Sequence, residues 1–476
     1  MWRCRRRRSS PPCPPATTSP WTATPRTRSA PPRRPRTDPR MPTTPFEVYV
    51  HVPFCLRRCG YCDFNTYTAA DLGGGASRRN YADLAIREMR LVRAWQAARG
   101  IEEPRAASVF FGGGTPTILP ARDLNRMLAA IRELWGLEPG AEVTSEANPD
   151  TVDAGYVREL ADGGFTRLSF GMQSAVPHVL ATLDRTHTPA NVEAGVRAAR
   201  AAGLDASVDL IYGAPGESLD DWRASVRAAI DLGTDHVSAY ALTVEPTTAM
   251  GRRIAAGTLP RPDDDDEAAK YEIADGLLAA AGLRWYEVSN WARPGYESRH
   301  NLGYWRNVDW AGIGPGAHSH YRAVAGATDL FPDADVDGAD DSEGFRPVAR
   351  AGGAGEGGPR PEGVAPGPAA DPAAAPRGLR AWDLAHPRRW AAALAAGRVP
   401  WADGEAIGPE ADLEERVMLG IRLREGLETA GLPAPPDPAV VEGLVADGLV
   451  VRHGTRLVPT LRGRLLNDLV IERLLG

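Results

Sequence analysis

From Phe46 onward the chain alternates short runs of β-branched and aromatic residues with longer stretches whose apolar positions recur every three to four residues. The short runs predict strands at Val48–Pro53, Ser108–Phe111, Glu142–Glu146, Arg167–Phe170, Ala206–Ile211 and Val237–Leu242. Between them the 3.6-residue period predicts helices that include Tyr81–Gln96, Asp123–Trp135, Ala190–Ala202 and Leu219–Ala229. One strand and one helix every ~30 residues is the spacing of consecutive βαβ units. Six such units predict an α/β fold in which a parallel sheet curls into a partial (β/α)6 barrel.

The pattern lapses twice. Residues 1–44 are mostly Arg, Pro, Ser and Thr and cannot bury enough apolar surface to offset chain entropy, so disorder is expected there. An Arg-rich organelle transit peptide is one reading of this segment. The preferred one is a translation start assigned too early, with Met41 as the true first residue, because no amphipathic helix pattern accompanies the arginines. Residues 326–378 shift to Gly, Ala, Pro and Asp and predict a disordered insertion. It separates a barrel over 45–325 from a smaller unit over 379–476. That unit predicts helices at Leu413–Arg424, Val440–Asp447 and Leu461–Leu475, with a hairpin of Leu449–Arg452 and Arg456–Pro459. Helices with a terminal hairpin make a winged-helix-like α+β domain.

Charge has to be divided before it is interpreted. The first 44 residues hold eleven arginines against Asp38, a contribution of +10, which leaves −16 of the net −6 for the remainder. An acidic body of that size, and twelve arginines against fourteen acids in 379–476, argue against nucleic acid as a partner. No apolar run approaches the ~20 residues that span a bilayer. With five sparse cysteines and no secretory leader pattern, a reducing, cytoplasmic setting is expected.

Three of those cysteines, Cys55, Cys59 and Cys62, follow the first predicted strand at C-x3-C-x2-C spacing. A cubane [4Fe–4S] cluster takes one thiolate per iron, so this set leaves one iron open. A structural zinc site and buried free thiols are the competing readings. Reactive groups in αβ barrels collect at the C-terminal ends of strands. There the chain places Phe110-Phe-Gly-Gly-Gly-Thr115, Ser145-Glu146, Phe170-Gly-Met-Gln173, Leu183-Asp-Arg185-Thr-His187 and Asp209. Glycines permit close approach of backbone to ligand, Glu146 can hold a hydroxyl or amino group, and Arg185 can pair with a carboxylate. S-adenosylmethionine (SAM), with an amino acid end, a sugar and a purine, fits such a collection and can chelate the open iron.

These residues make the chain resemble the radical-SAM proteins of the coproporphyrinogen III oxidase-like group, over most of 46–325 and more loosely 379–476. The resemblance implies that Cys55, Cys59 and Cys62 hold the cluster. It also implies that Tyr49, Tyr61, Gly113, Gly114, Thr115, Glu146, Gln173, Arg185 and Asp209 contact SAM, whose sulfonium bond is cleaved by one electron to give a 5′-deoxyadenosyl radical.

Within the group, the oxidase has a further cysteine two residues after the third. Here that position is Phe64. The run His300-Asn-Leu-Gly-Tyr304-Trp305 resembles instead the H-N-x-x-Y-W signature of the heme-chaperone branch. A histidine beside aromatics can offer an axial iron ligand and flat faces to a porphyrin. It can equally hydrogen-bond a loop while Tyr304, Trp305 and Trp310 fill the barrel wall. His318 and His320, in Gly312-Ile-Gly-Pro-Gly-Ala-His-Ser-His, are alternative ligands. Three expectations follow. The first is a heme chaperone with a SAM-liganded cluster that passes heme to an acceptor hemoprotein; the second is an enzyme oxidising coproporphyrinogen propionates. In the third, the C-terminal unit serves as an interaction module.

Overall fold

The computed structural model describes residues 44–322 and 377–476. The expected terminal extension, Met41 and nearly all of the expected insertion lie outside the described residues.

All six expected strands are present, as Phe46–Val52, Ala106–Gly113, Leu137–Ala147, Arg167–Gln173, Asp205–Tyr212 and His236–Ala241, each parallel to the next. A seventh parallel strand, Asp309–Ile313, pairs with the first on its other side. Antiparallel strands extend both edges to a twelve-stranded sheet, with Trp401–Ile407 at one end and Arg284–Glu287 at the other. Those two strands do not pair, so the barrel is partial, as expected.

Strand alternation sorts the sheet into two chemically different faces. Val48, Val50, Val52, Val109, Phe111, Leu168, Phe170, Val208 and Leu210 are fully buried in one apolar core with helical residues such as Met89, Leu124, Met127 and Leu160. Each such side chain contributes roughly 1.5–3 kcal/mol by leaving water. The helices supplying that layer include Tyr81–Ala98, Ala121–Leu134, Ala154–Gly163, Pro189–Ala201 and Leu219–Asp231. The intervening strand positions are mostly polar: Glu47, Tyr49 and His51; Ser108; Glu142, Thr144 and Glu146; Arg167 and Ser169; Ser207 and Asp209; His236 and Ser238. Register places Glu47 beside Ser108 and Ser108 beside Glu142, and Glu146 beside Ser169. The short helix Arg299–Trp305 packs on this polar face at its N-terminal end, where Glu142 Oε1 accepts from the N–H groups of Arg299 (3.0 Å) and His300 (3.3 Å).

The C-terminal part divides between the main sheet and a core of its own. Gly378–Asp383 and Trp401–Ile407 extend the main sheet, in which Leu379 and Ala381 are buried. The small unit therefore follows at Pro409–Gly420, with its own core of Val417, Ile421, Leu427, Leu444, Leu457 and Val470. The expected final helix is two, Leu461–Leu465 and Asn467–Leu475, broken at Leu466 (φ −112°, ψ 35°). The hairpin is present as Val450–His453 and Arg456–Pro459. Arg306 pairs through two nitrogens with Glu425 (2.9 and 2.8 Å), and Arg464 likewise with Asp275 (3.0 and 2.9 Å), fastening the unit to the barrel. No described helix is long and apolar enough to cross a membrane.

Candidate functional site

The cysteine loop is closed before any ligand enters it. Phe54 bridges to Tyr67; Tyr67 N–H donates to Pro53 O (2.7 Å) and Cys55 N–H to Tyr67 O (3.0 Å). Asn65 then ties the loop down, its Nδ2 donating to Pro315 O (2.9 Å) and Ala385 O (2.7 Å) while its carbonyl accepts from His51 Nε2 (3.0 Å). Cys55 is buried, Cys59 and Cys62 are half-buried, and all three are free thiols. Thr115 Oγ1 lies 3.6 Å from Cys55 Sγ, and Arg185 Nη1 lies 3.3 Å from Cys59 Sγ.

Burial pushes the Cys55 thiol up to about 11 and the Cys62 thiol above its ordinary value, and neighbouring thiols add to both. Two thiols that resist ionising on their own fit a cationic metal group, whose charge reverses that preference. Among the described residues no three His, Cys, Asp or Glu side chains are grouped to hold one ion. A multi-iron cluster takes one thiolate per iron, so three cysteines can each serve a different iron.

The strand ends bring the remaining residues to this loop. Glu146 Oε2 accepts from Gly113 N–H (3.2 Å), and an ideal Cβ on Gly112 would lie 3.2 Å from the Tyr49 ring and 3.3 Å from the Glu146 carboxyl carbon. Burial, then the charge of Asp209, lifts the Glu146 carboxyl to about 8. Burial likewise raises Asp209, opposed by hydrogen bonds from Ser238 and from Ser169, whose Oγ lies 2.9 Å from Asp209 Oδ2. Arg185 spans the gap: Nη1 reaches Cys59, Nη2 donates to Gly171 O (3.0 Å), and Nε donates to His187 Nδ1 (3.4 Å). His187 Nε2–H in turn donates to Met172 O (2.9 Å), which fixes the tautomer that can accept from Arg185. Gln173, with φ +61°, lies with Arg185 across Gly171. Tyr61 sits beside Cys59 and packs against the apolar cluster that includes Val179, Leu183, Ile211 and Leu242.

Two groups at the site are already bonded within the fold. The glycine loop does not present free N–H groups: Gly113 donates to Glu146, Gly114 to Val52 O (2.8 Å) and Thr115 to Phe54 O (2.8 Å). A side chain on Gly114 would fall 2.7 Å from Phe54 O, so that glycine is there for close strand packing. The Tyr49 hydroxyl is also occupied, with His51 Nδ1 3.1 Å away.

The His300 motif is an internal clamp. His300 is buried, with Nδ1 2.7 Å from Ser108 Oγ and Nε2 3.0 Å from Tyr304 Oη, and its ring stacks on Phe110 at 5.1 Å. Burial lowers it to about 3, so it stays neutral. Trp305 and Asn301 hydrogen-bond Glu287, and Tyr304 packs edge-on against Trp310 at 4.8 Å. Both ring nitrogens of His300 are thus engaged inside the fold.

Several residues that build the site carried no motif signal. His51 and Asn65 anchor the cysteine loop. Lys270, the chain's one lysine, is buried against Glu217 Oε2 (3.2 Å) and Asp266 (2.6 Å); Glu217 accepts from Gly213 N–H (2.9 Å) in the loop after Tyr212. The polar alternation Glu47, Tyr49, His51 could have exposed the first of these. The others depend on tertiary contacts.

Residues 49–229 match the Radical SAM superfamily and residues 407–466 match the HemN C-terminal domain. Coproporphyrinogen III oxidase (HemN) from Escherichia coli superposes with a TM-score of 0.67 over 92% of this chain and 91% of that one at 19% identity, a likeness of fold. Fold, cysteine loop and profile together define a radical SAM protein. The heme chaperone HemW of Mycobacterium tuberculosis (strain H37Rv) is 44% identical over 451 residues, covering 94% of this chain and 99% of that relative. The heme chaperone HemW of Escherichia coli (strain K12) is 36% identical over 275 residues, 58% of this chain and 70% of that relative. The chain belongs to the HemW family.

Proposed function

We propose that this protein is a cytoplasmic heme chaperone that binds heme and a SAM-coordinated [4Fe–4S] cluster and passes the heme to an acceptor hemoprotein. Its 44% identity to a relative named heme chaperone, across 99% of that relative, is the observation that carries the reading. Cys55, Cys59 and Cys62 would hold the cluster, which when bound supplies a single electron. Arg185, fixed by Gly171 and His187, would screen the thiolate of Cys59 and meet the SAM carboxylate. Glu146 and Asp209 would receive its hydroxyl or amino groups, beside Tyr49, Tyr61, Gln173 and the Gly113-Gly114-Thr115 turn. With those N–H groups already bonded, the turn would serve by shape.

The likeness in fold to coproporphyrinogen III oxidase favours a second reading, oxidative decarboxylation of porphyrinogen propionates. Phe64, 58% exposed where the oxidase has its extra cysteine, speaks against it. The test is to incubate the reduced, cluster-loaded protein with SAM and coproporphyrinogen III. The chaperone reading expects no protoporphyrinogen and stoichiometric uptake of added heme. Repeated turnover with 5′-deoxyadenosine release would replace it with the oxidase reading.

A further inference from the structure

The well-exposed large apolar side chains among the described residues lie in loops or in the C-terminal unit, with one exception. Tyr240 is 41% exposed yet sits on the strand His236–Ala241, within the main sheet. Val237 and Ala239 belong to the apolar core, so Tyr240 continues the inner face of His236 and Ser238. Pairing along the parallel strands sets Ser238 beside Asp209 and Tyr240 beside Ile211. The Tyr240 hydroxyl and the Asp209 carboxyl are both within hydrogen-bonding reach of Ser238. With its hydroxyl drawn back to Ser238, Tyr240 offers the open space a phenol ring. Ile211, next to it, packs in the apolar cluster that also takes in Leu242 and, from the cysteine loop, Tyr61.

We infer that the Tyr240 ring is the surface against which the purine of SAM packs; this rests on the SAM site proposed above. Burial first, and after it the charges of Asp209, Glu287 and Glu146, push the Tyr240 hydroxyl above its ordinary range, so the two carboxyls assigned to SAM stand near the ring. A ligand that gives hydroxyl or amino protons to Asp209 and Glu146 therefore lies against it. The same acids offer no positive charge to the propionates of a porphyrin, the other flat molecule proposed to bind this protein. A neutral base carried on a sugar meets both conditions, with a π face for the phenol and hydroxyls for the acids.

The experiment is anaerobic equilibrium dialysis of the full, cluster-loaded chain against labelled SAM, for the wild type, Tyr240→Phe, Tyr240→Leu and Tyr240→Ala. Cluster iron content and thermal unfolding without SAM report folding, and heme uptake is measured in parallel. Tyr240→Ala should bind SAM about tenfold more weakly, as expected for a lost aromatic–base stack, and Tyr240→Phe should stay close to the wild type because it keeps the ring. Tyr240→Leu, which keeps apolar bulk without the π face, should fall between them and carries the test where the alanine variant loses its cluster. At saturating SAM the variants should show the same SAM-induced change in the electron paramagnetic resonance signal of the reduced cluster, since the amino acid end still reaches the iron, and heme uptake should be unchanged. SAM affinity equal to that of the wild type in both Tyr240→Leu and Tyr240→Ala, or loss of heme uptake with SAM binding intact, would overturn the assignment while leaving the SAM site in place. Loss of the SAM-induced signal change would also overturn it, by showing that the ring acts on the cluster loop. No SAM binding by the wild type would overturn both.

Discussion

Replacing Glu146 with glutamine should make the cluster-free protein more stable in alkali while weakening its hold on SAM. Burial and the charge of Asp209 lift the Glu146 carboxyl from 4.5 to about 8, and the Gly113 N–H opposes this only in part. A carboxyl whose folded pKa is raised contributes stability that is complete below the unfolded value and is lost as pH rises through the folded one. The loss here runs from the unfolded value of 4.5 to about 8. At ~1.4 kcal/mol per pH unit the whole excursion is on the order of 4–5 kcal/mol. Glu146 keeps some solvent exposure, which screens this to about 2 kcal/mol. Glutamine has the same shape, can still accept from Gly113 N–H, and never ionises. The variant should therefore match the wild type near about pH 5 and exceed it by roughly 2 kcal/mol at about pH 9, a Tm difference of about 4 °C. Anaerobic thermal unfolding of both proteins across this range measures it, and other titrating groups cancel in the difference. A Tm difference that does not change with pH, or a wild type that is the more stable at high pH, would refute the reasoning.

Three further outcomes are expected. Arg185→Lys keeps the charge but not the planar fork that reaches Cys59, Gly171 and His187 at once; equilibrium dialysis should show SAM affinity down about tenfold with cluster iron unchanged. Lys270→Met strands the buried Glu217 carboxylate, so urea unfolding at neutral pH should show a loss of about 3–5 kcal/mol that shrinks in acid as Glu217 protonates. Glu88 and Asp383 are buried carboxyls with no cation between them among the described residues, and burial raises both, so their stability contribution is lost as pH rises above the ordinary carboxylate range. Glu88→Gln, still able to accept from Gly314 N–H and Trp390 Nε1, should flatten the decline in unfolding free energy between mildly acidic and neutral pH.

The sequence was most legible where one strand face is apolar and the next unit repeats it. Val48, Val50 and Val52 announce the first strand because they must all leave water together, and the five strands after it follow the same rule. Asp309–Ile313 was not legible: Trp-Ala-Gly-Ile amid glycines has no period of its own and becomes a strand only by pairing with Phe46–Val50. Gly378–Asp383 was not legible as a strand for a similar reason, since its partner strand His318–Tyr321 lies far back in the chain. At the site, the cysteine spacing and the carboxylates at the strand ends could be read from order alone. The engagement of His300 could not, because Ser108 and Tyr304 meet it only after the sheet has formed and Arg299–Trp305 has packed on its polar face.

Gel filtration of the anaerobically reconstituted chain with SAM and a small excess of heme tests the central claim most directly, with iron, sulfide and heme measured in the protein peak. The account predicts about four non-heme irons and four sulfides per chain, with one heme eluting alongside them and the cluster absorbance intact. Heme that separates from the protein, or that enters only as the cluster is lost, would contradict it.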